Sequence, residues 1–504
     1  MTENTPNISI EELQDSDTTY DHVIKYTGLF GGVQGIMMLV SVVRNKIVSV
    51  LLGPNGLALI NIFNEVTKLI NQSTNFGLSF SAVKHVVELF EHGKREEING
   101  FVRTVRTWSL FTALLGMLVC LLLSQQLSYW TFESMAYTRH FALLSLVVGM
   151  MAIQGGEMAI LKGMKQLKKV ALISVFGAVA TLIVCTPLYF WMGLKGIIPS
   201  LVLSNAVVLA IHLHFSTKVV SWETALFSKS EYGKGIPMLK LGVGYIIAGI
   251  FGQGAEYIIR TLIMRFGELA DVGLYNSGYG LAVTYANIVF VAFEADYFPR
   301  LSASLHQINR QNQTVNQQIE VGVLLMAPIL IFVVLAMPVI VPMLFSSKFV
   351  AAVPMAICAS AYMFFKALTL PVAYLALAKG DSRMYMITEL IYDIFIAIAI
   401  PFAFKQWGLT GAGWALSAAG LLDLLLIHII YRYRYHYRFD LSKMKLYVFQ
   451  FIFFAIGVMA ALHANPWLRI VTAVMLAASC LLSFRVLKHE TSILSNIKKR
   501  LWRK

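Results

Sequence analysis

The hydrophobic residues of this chain form long runs that alternate with short polar segments. Each run holds roughly 20 residues, the length that an α-helix needs to cross the hydrocarbon core of a bilayer. The segments between the runs are short and mostly basic. The pattern predicts an all-α polytopic membrane protein with fourteen spans, at approximately 23–52, 55–89, 101–124, 140–162, 168–191, 196–216, 236–264, 271–303, 318–345, 350–378, 384–404, 408–431, 446–463 and 466–486.

One predicted helix, within 53–76, carries polar side chains along one side. Seven of them recur at steps of three and one, so at about 100° per residue they fall within an arc of roughly 120°. They are Asn61, Asn64, Glu65, Lys68, Asn71, Gln72 and Asn75. Lipid offers such groups no partners, so a continuous polar face in a membrane helix faces another helix or water. We interpret this face as the wall of a hydrophilic cavity.

The composition agrees with a membrane protein. Hydrophobic residues make up 57% of the 504 residues and charged residues 13%, against about 25% charged in soluble proteins. The net charge of +14 would suit nucleic acid, but the basic residues lie between hydrophobic runs, so we exclude that partner. Residues 1–20 are polar and acidic, which predicts a disordered cytoplasmic tail and not a cleaved signal peptide. Four cysteines lie singly in apolar runs and are expected to be buried thiols: Cys120, Cys185, Cys358 and Cys480.

The distribution of basic residues predicts the orientation. The even-numbered loops and the C-terminal tail hold 28 lysines and arginines, including Arg103 and Arg106, whereas the odd-numbered loops hold 6. Basic residues are retained on the cytoplasmic side of a membrane. We therefore predict that both termini are cytoplasmic, which an even number of spans also requires.

The second half of the chain repeats landmarks of the first at a nearly constant spacing. Lys162-Gly163 recurs as Lys379-Gly380, and Gly193-Leu194-Lys195-Gly196 recurs as Gly408-Leu409-Thr410-Gly411. The repeat predicts two six-helix lobes related by an axis along the membrane normal, followed by two further helices. The predicted parts are a cytoplasmic tail at 1–20, an N-terminal lobe at 21–217, a cytoplasmic linker at 218–235, a C-terminal lobe at 236–431, two helices at 432–486 and a basic cytoplasmic tail at 487–504.

Charged residues inside the predicted spans are costly and therefore indicate function or pairing. Glu65 and Lys68 lie one helical turn apart, as do Glu256 and Arg260, and in one interpretation each pair neutralises itself. In the other interpretation the cations form a central cluster that binds an anion such as a diphosphate. The substrate-binding candidates are Arg44, Lys68, Arg260, Lys366, Asn61, Asn64, Glu65, Asn71, Gln72 and Asn75. The candidate ion-coupling residues are Glu157, Glu256 and Asp423.

The sequence contains no phosphate-binding GxxxxGK[ST] loop, no metal-ligand pattern and no catalytic constellation. We therefore expect no cofactor, no metal and no enzymatic activity.

The junction between the first two spans resembles that of a known family. Arg44 to Leu57, which reads RNKIVSVLLGPNGL, is similar to the first-to-second helix signature of the Wzx-type polysaccharide flippases, in the multidrug/oligosaccharidyl-lipid/polysaccharide (MOP) exporter superfamily. Further matching landmarks, in the same order, lie at 161–163, 297–302, 345–349 and 378–380. The extra pair of spans after Tyr437 departs from many members, which stop near twelve.

The resemblance implies a V-shaped bundle of two six-helix lobes that works by alternating access in the bacterial inner membrane. It implies a substrate of oligosaccharide on undecaprenyl diphosphate, such as an O-antigen repeat unit, moved from the cytoplasmic to the periplasmic leaflet. Cationic residues line the central cavity of such flippases, and the corresponding candidates here are Arg44, Lys68, Arg260 and Lys366. Further expected partners are membrane lipid, H⁺ or Na⁺ and a polysaccharide polymerase complex, with the protein itself a monomer.

Two other functions fit the sequence less well than the flippase. A drug or cation antiporter of the same superfamily would favour an acidic, aromatic cavity, whereas this cavity is predicted to be net basic. A membrane glycan polymerase or acyltransferase would need large catalytic loops, but the longest loops here hold only about 15–20 residues.

The predicted topology can be tested by cysteine accessibility. Ser347→Cys and Trp407→Cys lie in odd-numbered loops, so a membrane-impermeant thiol reagent added from outside the cytoplasm should label both. Labelling of either position from the cytoplasm alone would contradict the fourteen-span topology.

Overall fold

The computed structural model describes residues 32–92, 95–225, 229–284, 286–463 and 466–490. Within these residues all regular structure is helical, which confirms the all-α prediction. The α-helices are α1 Gly32–Leu51, α2 Gly53–Thr74, α3 Leu78–His92, α4 Arg95–Leu122, α5 Ser124–Phe132, α6 Thr138–Gly163, α7 Leu167–Met192, α8 Ile197–Thr217, α9 Lys229–Phe266, α10 Leu269–Tyr279, α11 Asn287–Ser304, α12 Ile308–Leu344, α13 Val353–Ala378, α14 Ser382–Tyr435, α15 Met444–Leu462 and α16 Pro466–Glu490.

Nine helical ranges in the described part of the chain are long and apolar enough to cross a membrane. Two of them, Leu167–Thr217 and Ser382–Tyr435, each contain two predicted spans, so the nine ranges hold eleven of the fourteen. The other three predicted spans are also helical, as α2 with α3, as α9 and as α10 with α11. Of these helices, α2 and α9 carry most of the candidate site residues, whose polar side chains lower the mean hydropathy of both helices.

The second predicted span is two helices and not one. α2 ends at Thr74 and α3 begins at Leu78, because Phe76 and Gly77 have φ values of +48° and +68°. Glycine adopts this left-handed conformation readily, and it ends the helix. The predicted span over 55–89 is therefore interrupted by a turn, whose position hydropathy does not show. Asn75, the last residue of the polar face, lies in the turn and donates from Nδ2 to the Ser79 hydroxyl at 3.0 Å.

The described residues belong to two compact units. The first is bounded by Met1–Leu51 and Thr67–Ile247, and the second by Leu52–Val66 and Ala248–Lys504. This division falls inside α9, whereas the sequence predicted a linker at 218–235. In the first unit, α3, α4 and α6 enclose a hydrophobic core, and α6 also packs on α8, which pairs with α7.

In the second unit, α13 lies between α12 and α14 and packs along both. α15 and α16 form a pair that packs against α12. Phe364 of α13 stacks on Phe454 of α15 with ring centroids 5.7 Å apart. Between α15 and α16, the buried Gln450 amide donates to the Ser483 hydroxyl at 2.8 Å. The two helices beyond the predicted lobes are therefore an integral part of the second unit.

Two turns, one in each half of the chain, have the same backbone hydrogen bonds. In the first, the N–H groups of residues 164–166 donate to carbonyls within 160–162, and in the second those of 379–381 donate to carbonyls within 375–377, in the same order. The middle residues, Lys165 and Gly380, both have left-handed backbones, with φ of +54° and +72°. The turns align Lys165 with Gly380, so the sequence match of Lys162-Gly163 to Lys379-Gly380 is shifted relative to the structural match. A dipeptide is too short to determine the alignment, whereas the turn determines it through its hydrogen bonds.

The glycines before the last helix of each predicted lobe also match. Gly193 and Gly408 have nearly the same φ and ψ, at 55° and −133° and at 61° and −152°. Shortly after each of them, a Cβ added to Gly196 or Gly411 would clash with a backbone carbonyl oxygen of the preceding helical segment. The two halves therefore share a local structure as well as a sequence pattern. This supports the predicted repeat, while the lobe boundaries stay a prediction.

The close approach at Gly196 can be tested by Gly196→Ala. The added methyl group would meet a backbone carbonyl, so we expect a clear fall in the thermal unfolding temperature of the detergent-solubilised protein. Gly100→Ala in α4 is the matched control, because an added Cβ there would meet nothing within 4 Å. Alanine is favoured over glycine in a helix by about 1 kcal/mol, so this control should unfold at the same or a higher temperature. Equal behaviour of the two variants would contradict the packing.

Two sequence expectations about individual residues need correction. Cys120, Cys185 and Cys358 are buried thiols as expected, but Cys480 of α16 is exposed. Hydropathy placed Cys480 in an apolar run without showing that this side of the helix faces away from the protein. Arg106, assigned to a loop, lies within α4 and is buried.

Candidate functional site

The polar face of α2 lies opposite a buried apolar face, as the sequence predicted. Ile62, Phe63 and Val66 are at most 1% exposed. On the polar side, Lys68 is exposed, and the remaining candidates are half-buried or buried: Asn61, Asn64, Glu65, Asn71, Gln72 and Asn75. α2 therefore packs through its apolar side.

The position of Lys68 along α2 places its charged side chain within the predicted membrane span. It lies well inside α2, which begins at Gly53 and ends at Thr74. At about 1.5 Å per residue, Lys68 is roughly 22 Å along the helix, which is less than the hydrocarbon core thickness of about 30 Å. An exposed ammonium group at that depth requires a polar environment, which lipid does not provide.

The other candidates of the first unit lie on both sides of Lys68 in sequence. Arg44 on α1 is exposed and interacts electrostatically with Tyr189 of α7. The Oδ1 atoms of Asn71 and Asn75 are buried and accept no hydrogen bond from any described residue. Buried polar atoms usually find partners, so these two oxygens indicate a place where water or a polar ligand is bound.

Glu157, an ion-coupling candidate, has a cation partner that the sequence did not reveal. Arg106 donates from Nε to Oε1 at 2.9 Å and from an Nη atom to Oε2 at 3.1 Å. Both side chains are at most 1% exposed. Arg106 lies on a different helix, α4, so no helical spacing could have shown the pair. Because both carboxylate oxygens are engaged, Glu157 fits a structural ion pair better than a site that binds and releases a cation.

The same arginine holds the segment that follows α8. Its guanidinium donates to the carbonyl of Ser221 and, at 3.1 Å, to that of Val220, and it lies 4.8 Å from the centre of the Trp222 ring. Further along this segment, the N–H of Ala225 donates to the Thr107 hydroxyl at 3.0 Å. Residues 220–225, within the predicted linker, are thus attached to α4 of the same unit.

In the second unit, Arg260 is buried on α9 and bound on two sides. It forms an ion pair with Glu256 one turn earlier, as predicted, and donates from Nε to Oδ1 of Asn276 on α10 at 2.9 Å. Glu65 of α2 also interacts electrostatically with this guanidinium. Glu65 therefore has a cation on another helix within electrostatic reach, besides Lys68 one turn along its own helix.

Lys366 on α13 has a polar and aromatic environment. Its ammonium donates to Oδ1 of Asn287 on α11 at 3.0 Å, and it lies 5.8 Å from the Tyr362 ring and 6.0 Å from the Phe290 ring. The planar rings attract a cation through their negative faces. Asn287 and Asn276 lie on α11 and α10, which lack periodic polar faces, so the sequence did not identify them.

Carboxylates outnumber cations in this part of the second unit. Glu389 and Asp423 of α14 both interact electrostatically with Lys366, and Asp393 interacts with Glu389 and Glu256. Asp393 also lies against α9, where a Cβ on Gly252 would be 3.6 Å from its Oδ2. Together with Glu65 these make five carboxylates around Arg260 and Lys366. The net basic character predicted for the cavity does not extend to this cluster.

Several buried polar atoms on α9 and α10 have no hydrogen-bond partner among the described residues. They are Oε1 of Gln253, Oγ1 of Thr261, the hydroxyl of Tyr275 and Nδ2 of Asn276. Together with the charged cluster, they make this part of the second unit polar. The arrangement suits binding of a charged and hydrogen-bonding solute at membrane depth.

Helical membrane bundles with internal repeats and charged residues within the spans are typical of transporters. Solved structures with this fold include an inward-facing MATE-family multidrug resistance transporter of the MOP superfamily, with a TM-score of 0.67 and 12% identity over 79% of this chain and 94% of that one. The lipid II flippase MurJ in an inward closed conformation is equally similar, with a TM-score of 0.67 and 12% identity over 93% of this chain and 99% of that one. A MOP-superfamily transporter from Pyrococcus furiosus follows, with a TM-score of 0.55 and 12% identity over 81% and 93% of the two chains.

A family model described as "polysaccharide biosynthesis protein" matches residues 47–354, which is more than half of the chain. The chain belongs to this polysaccharide biosynthesis family and has the MOP-superfamily fold. No curated protein matches it.

The role of the buried pair can be tested with Glu157→Gln. Removing one partner of a buried ion pair leaves the other charge without compensation, which costs about 3–5 kcal/mol, so we expect a marked loss of thermal stability in detergent. Glu96→Gln, on an exposed position of α4, is the control and should leave stability unchanged. The double change Arg106→Met with Glu157→Leu removes the uncompensated charge and should recover part of the loss, since the carbonyls of Val220 and Ser221 also lose their donor. Normal stability of Glu157→Gln with abolished transport would instead support a coupling role.

Proposed function

We propose that this protein is a flippase that carries an oligosaccharide linked to undecaprenyl diphosphate from the cytoplasmic to the periplasmic leaflet of a bacterial inner membrane. Membership of the polysaccharide biosynthesis family supports a role in glycan assembly. The fold similarity to a lipid II flippase supports a lipid-linked substrate, although an equally similar MATE transporter has the same fold. The proposal therefore depends on the site more than on the fold.

The observation that carries the proposal is the exposed Lys68 on the polar face of a helix whose opposite side is buried. A lysine at this depth can attract a phosphate, and the neighbouring amides of Asn64, Asn71 and Gln72 can hydrogen-bond sugar hydroxyls. A cavity wall of this composition suits a substrate that combines a diphosphate with a glycan. A drug-binding wall would instead be mainly apolar and aromatic.

In the proposed mechanism, Arg260 and Lys366 provide the cations of the second unit. Each is held by an asparagine oxygen, which orients it without adding charge. The planar fork of Arg260 can contact two phosphate oxygens at once if Glu256 releases it. Arg44, on α1, completes the proposed set of substrate-binding cations. Alternating access then exposes this cationic set to one leaflet and afterwards to the other.

The five carboxylates of the second unit support a second part of the proposed mechanism, in which substrate transport is coupled to the movement of a cation. Carboxylates held close together at membrane depth repel one another and become stable when one of them binds H⁺ or Na⁺. We retain Glu256 and Asp423 as coupling residues and add Glu389 and Asp393. The same carboxylates favour the alternative function, a drug or cation antiporter. In the flippase proposal both termini are cytoplasmic and the protein acts as a monomer that supplies a polysaccharide polymerase complex.

Lys68→Ala tests the substrate site. A charge-assisted hydrogen bond to phosphate contributes about 1.5–3 kcal/mol, so transport should fall by about tenfold or more. Expression and insertion should stay normal, because removing a charge from a membrane helix makes insertion easier. The measurement is complementation of glycan export in cells that lack their own flippase. Lys195→Ala, at an exposed position outside the proposed cavity, is the control and should complement fully.

The double variant Glu65→Ala with Lys68→Ala separates substrate binding from simple pairing. If Lys68 only neutralises Glu65, the double variant should regain function, whereas the proposed phosphate contact predicts that its transport stays as low as that of Lys68→Ala. Rescue by the double variant, or full activity of Lys68→Ala, would overturn the role of Lys68.

A further inference from the structure

A cavity at the end of α14, away from the clusters described above, has the features of a binding site. It has a volume of about 710 Å³ and lies between the last turns of α14 and the loop that leads to α15. Its lining residues are His428, Ile429, Arg432, Tyr433, His436, Tyr437, Arg438, Phe439 and Leu441. All of them belong to the second unit, and none belongs to the proposed substrate or coupling groups.

The cationic side chains of this cavity are available to a ligand. Arg432 and Arg438 are exposed, and neither guanidinium has an ion pair or hydrogen bond with any described residue. Arg434, between them in sequence, differs because it donates to Asp381 Oδ2 at 3.1 Å and does not line the cavity. The Met384 N–H, the Tyr435 hydroxyl and Arg434 hold the pKa of Asp381 below its ordinary value, so this carboxylate keeps Arg434 engaged at neutral pH.

The loop that carries Arg438 is held in place by two asparagines of α12. Asn312 donates to the His436 carbonyl at 3.3 Å and accepts from the Arg438 N–H at 3.3 Å. Asn316 donates to the Arg438 carbonyl at 2.9 Å and accepts from the Tyr437 hydroxyl at 3.0 Å. The left-handed His436, with φ of +54°, ends α14 and turns the chain into this loop. The cavity is therefore preformed, which lowers the entropy lost when a ligand binds.

The base of the cavity adds a hydrogen-bond acceptor. His428 packs edge-on against Tyr437 and Phe439, with ring centroids 5.6 and 5.5 Å apart. Its Nδ1 lies 2.9 Å from the Leu424 carbonyl, so Nδ1 carries the proton and donates. Its Nε2 is buried and has no hydrogen-bond partner among the described residues. In the neutral ring this nitrogen is an acceptor for a hydroxyl group.

The rim of the cavity is apolar as well as basic. Tyr433 is 78% exposed, Leu441 73% and Ile429 56%. Exposed arginines together with exposed aromatic and aliphatic side chains at the end of a membrane helix are typical of the zone where lipid headgroups meet hydrocarbon. A soluble phosphate compound would gain nothing from the apolar part of this rim.

We propose that this cavity binds the headgroup of an anionic glycerophospholipid at the membrane surface. Arg432 and Arg438 contact the phosphodiester, His428 accepts from a headgroup hydroxyl, and Tyr433 and Leu441 pack against the first acyl carbons. The site lies where α14 leads to α15, and α15 and α16 pack against α12. Lipid bound here would connect these elements of the second unit.

The test uses the full-length protein in detergent, titrated with phosphatidylglycerol or with phosphatidylcholine and observed by native mass spectrometry. We expect phosphatidylglycerol to bind more tightly than phosphatidylcholine. Arg432→Gln with Arg438→Gln should weaken phosphatidylglycerol binding by about 30-fold, because each basic residue near an anionic lipid contributes a factor of roughly five. Arg434→Gln removes the same charge from the same helix end and should change binding by less than about twofold.

Three outcomes would overturn the proposal. They are unchanged phosphatidylglycerol binding in the double variant, equal weakening by Arg434→Gln, and displacement of the lipid by millimolar inorganic phosphate. The last outcome would identify a site for soluble anions. Thermal unfolding of each variant without added lipid shows whether the comparison is made between folded proteins, and it is needed most for Arg434→Gln, which loses the contact with Asp381.

Discussion

The cost of placing a charge at membrane depth governs the arrangement of this protein. Insertion of an ionised side chain into hydrocarbon is unfavourable by several kcal/mol, so such a group is stable only beside an opposite charge, an amide or water. Arg106 is enclosed by Glu157 and two backbone carbonyls, Arg260 by Glu256 and an asparagine, and Lys366 by an asparagine and two aromatic rings. The helices that provide these partners are therefore fixed relative to one another within each unit.

These charged groups differ in how many of their polar atoms have a partner within the protein. We use this difference to distinguish structural ion pairs from the proposed binding groups. The Arg106–Glu157 pair uses both carboxylate oxygens and fastens residues 220–225 to α4, as a structural contact would. Arg260 and Lys366 instead have several carboxylates within electrostatic reach, and in the proposed function these cations exchange partners when a solute enters. A transporter needs such exchangeable contacts, because a site bound permanently to its own residues could not release a substrate.

The two halves of the chain share local backbone structure at two pairs of positions, but only one of these pairs has the same residue type. At Lys165 and Gly380 the backbone makes the same hydrogen bonds in the two halves of the chain, and only one of the two positions uses glycine. Gly196 and Gly411 both lie where a Cβ would meet a carbonyl, so both positions keep glycine. A backbone carbonyl that leaves no room for a Cβ permits only glycine, whereas a left-handed turn can be formed by lysine as well as by glycine. The sequence repeat is accordingly clear at the second pair and misaligned at the first.

The sequence by itself determined the helical class, the approximate spans and the polar face of α2, because hydrophobic length and helical period are local properties. It also identified the Glu256–Arg260 pair, which lies within one turn of one helix. Only the tertiary structure decided which partners came from other helices: Arg106 for Glu157, Asn276 for Arg260 and Asn287 for Lys366. It also decided that α2 and α3 are separate, since two residues with positive φ leave no mark on hydropathy. Contacts between distant segments depend on how helices pack, and spacing along the chain does not encode that.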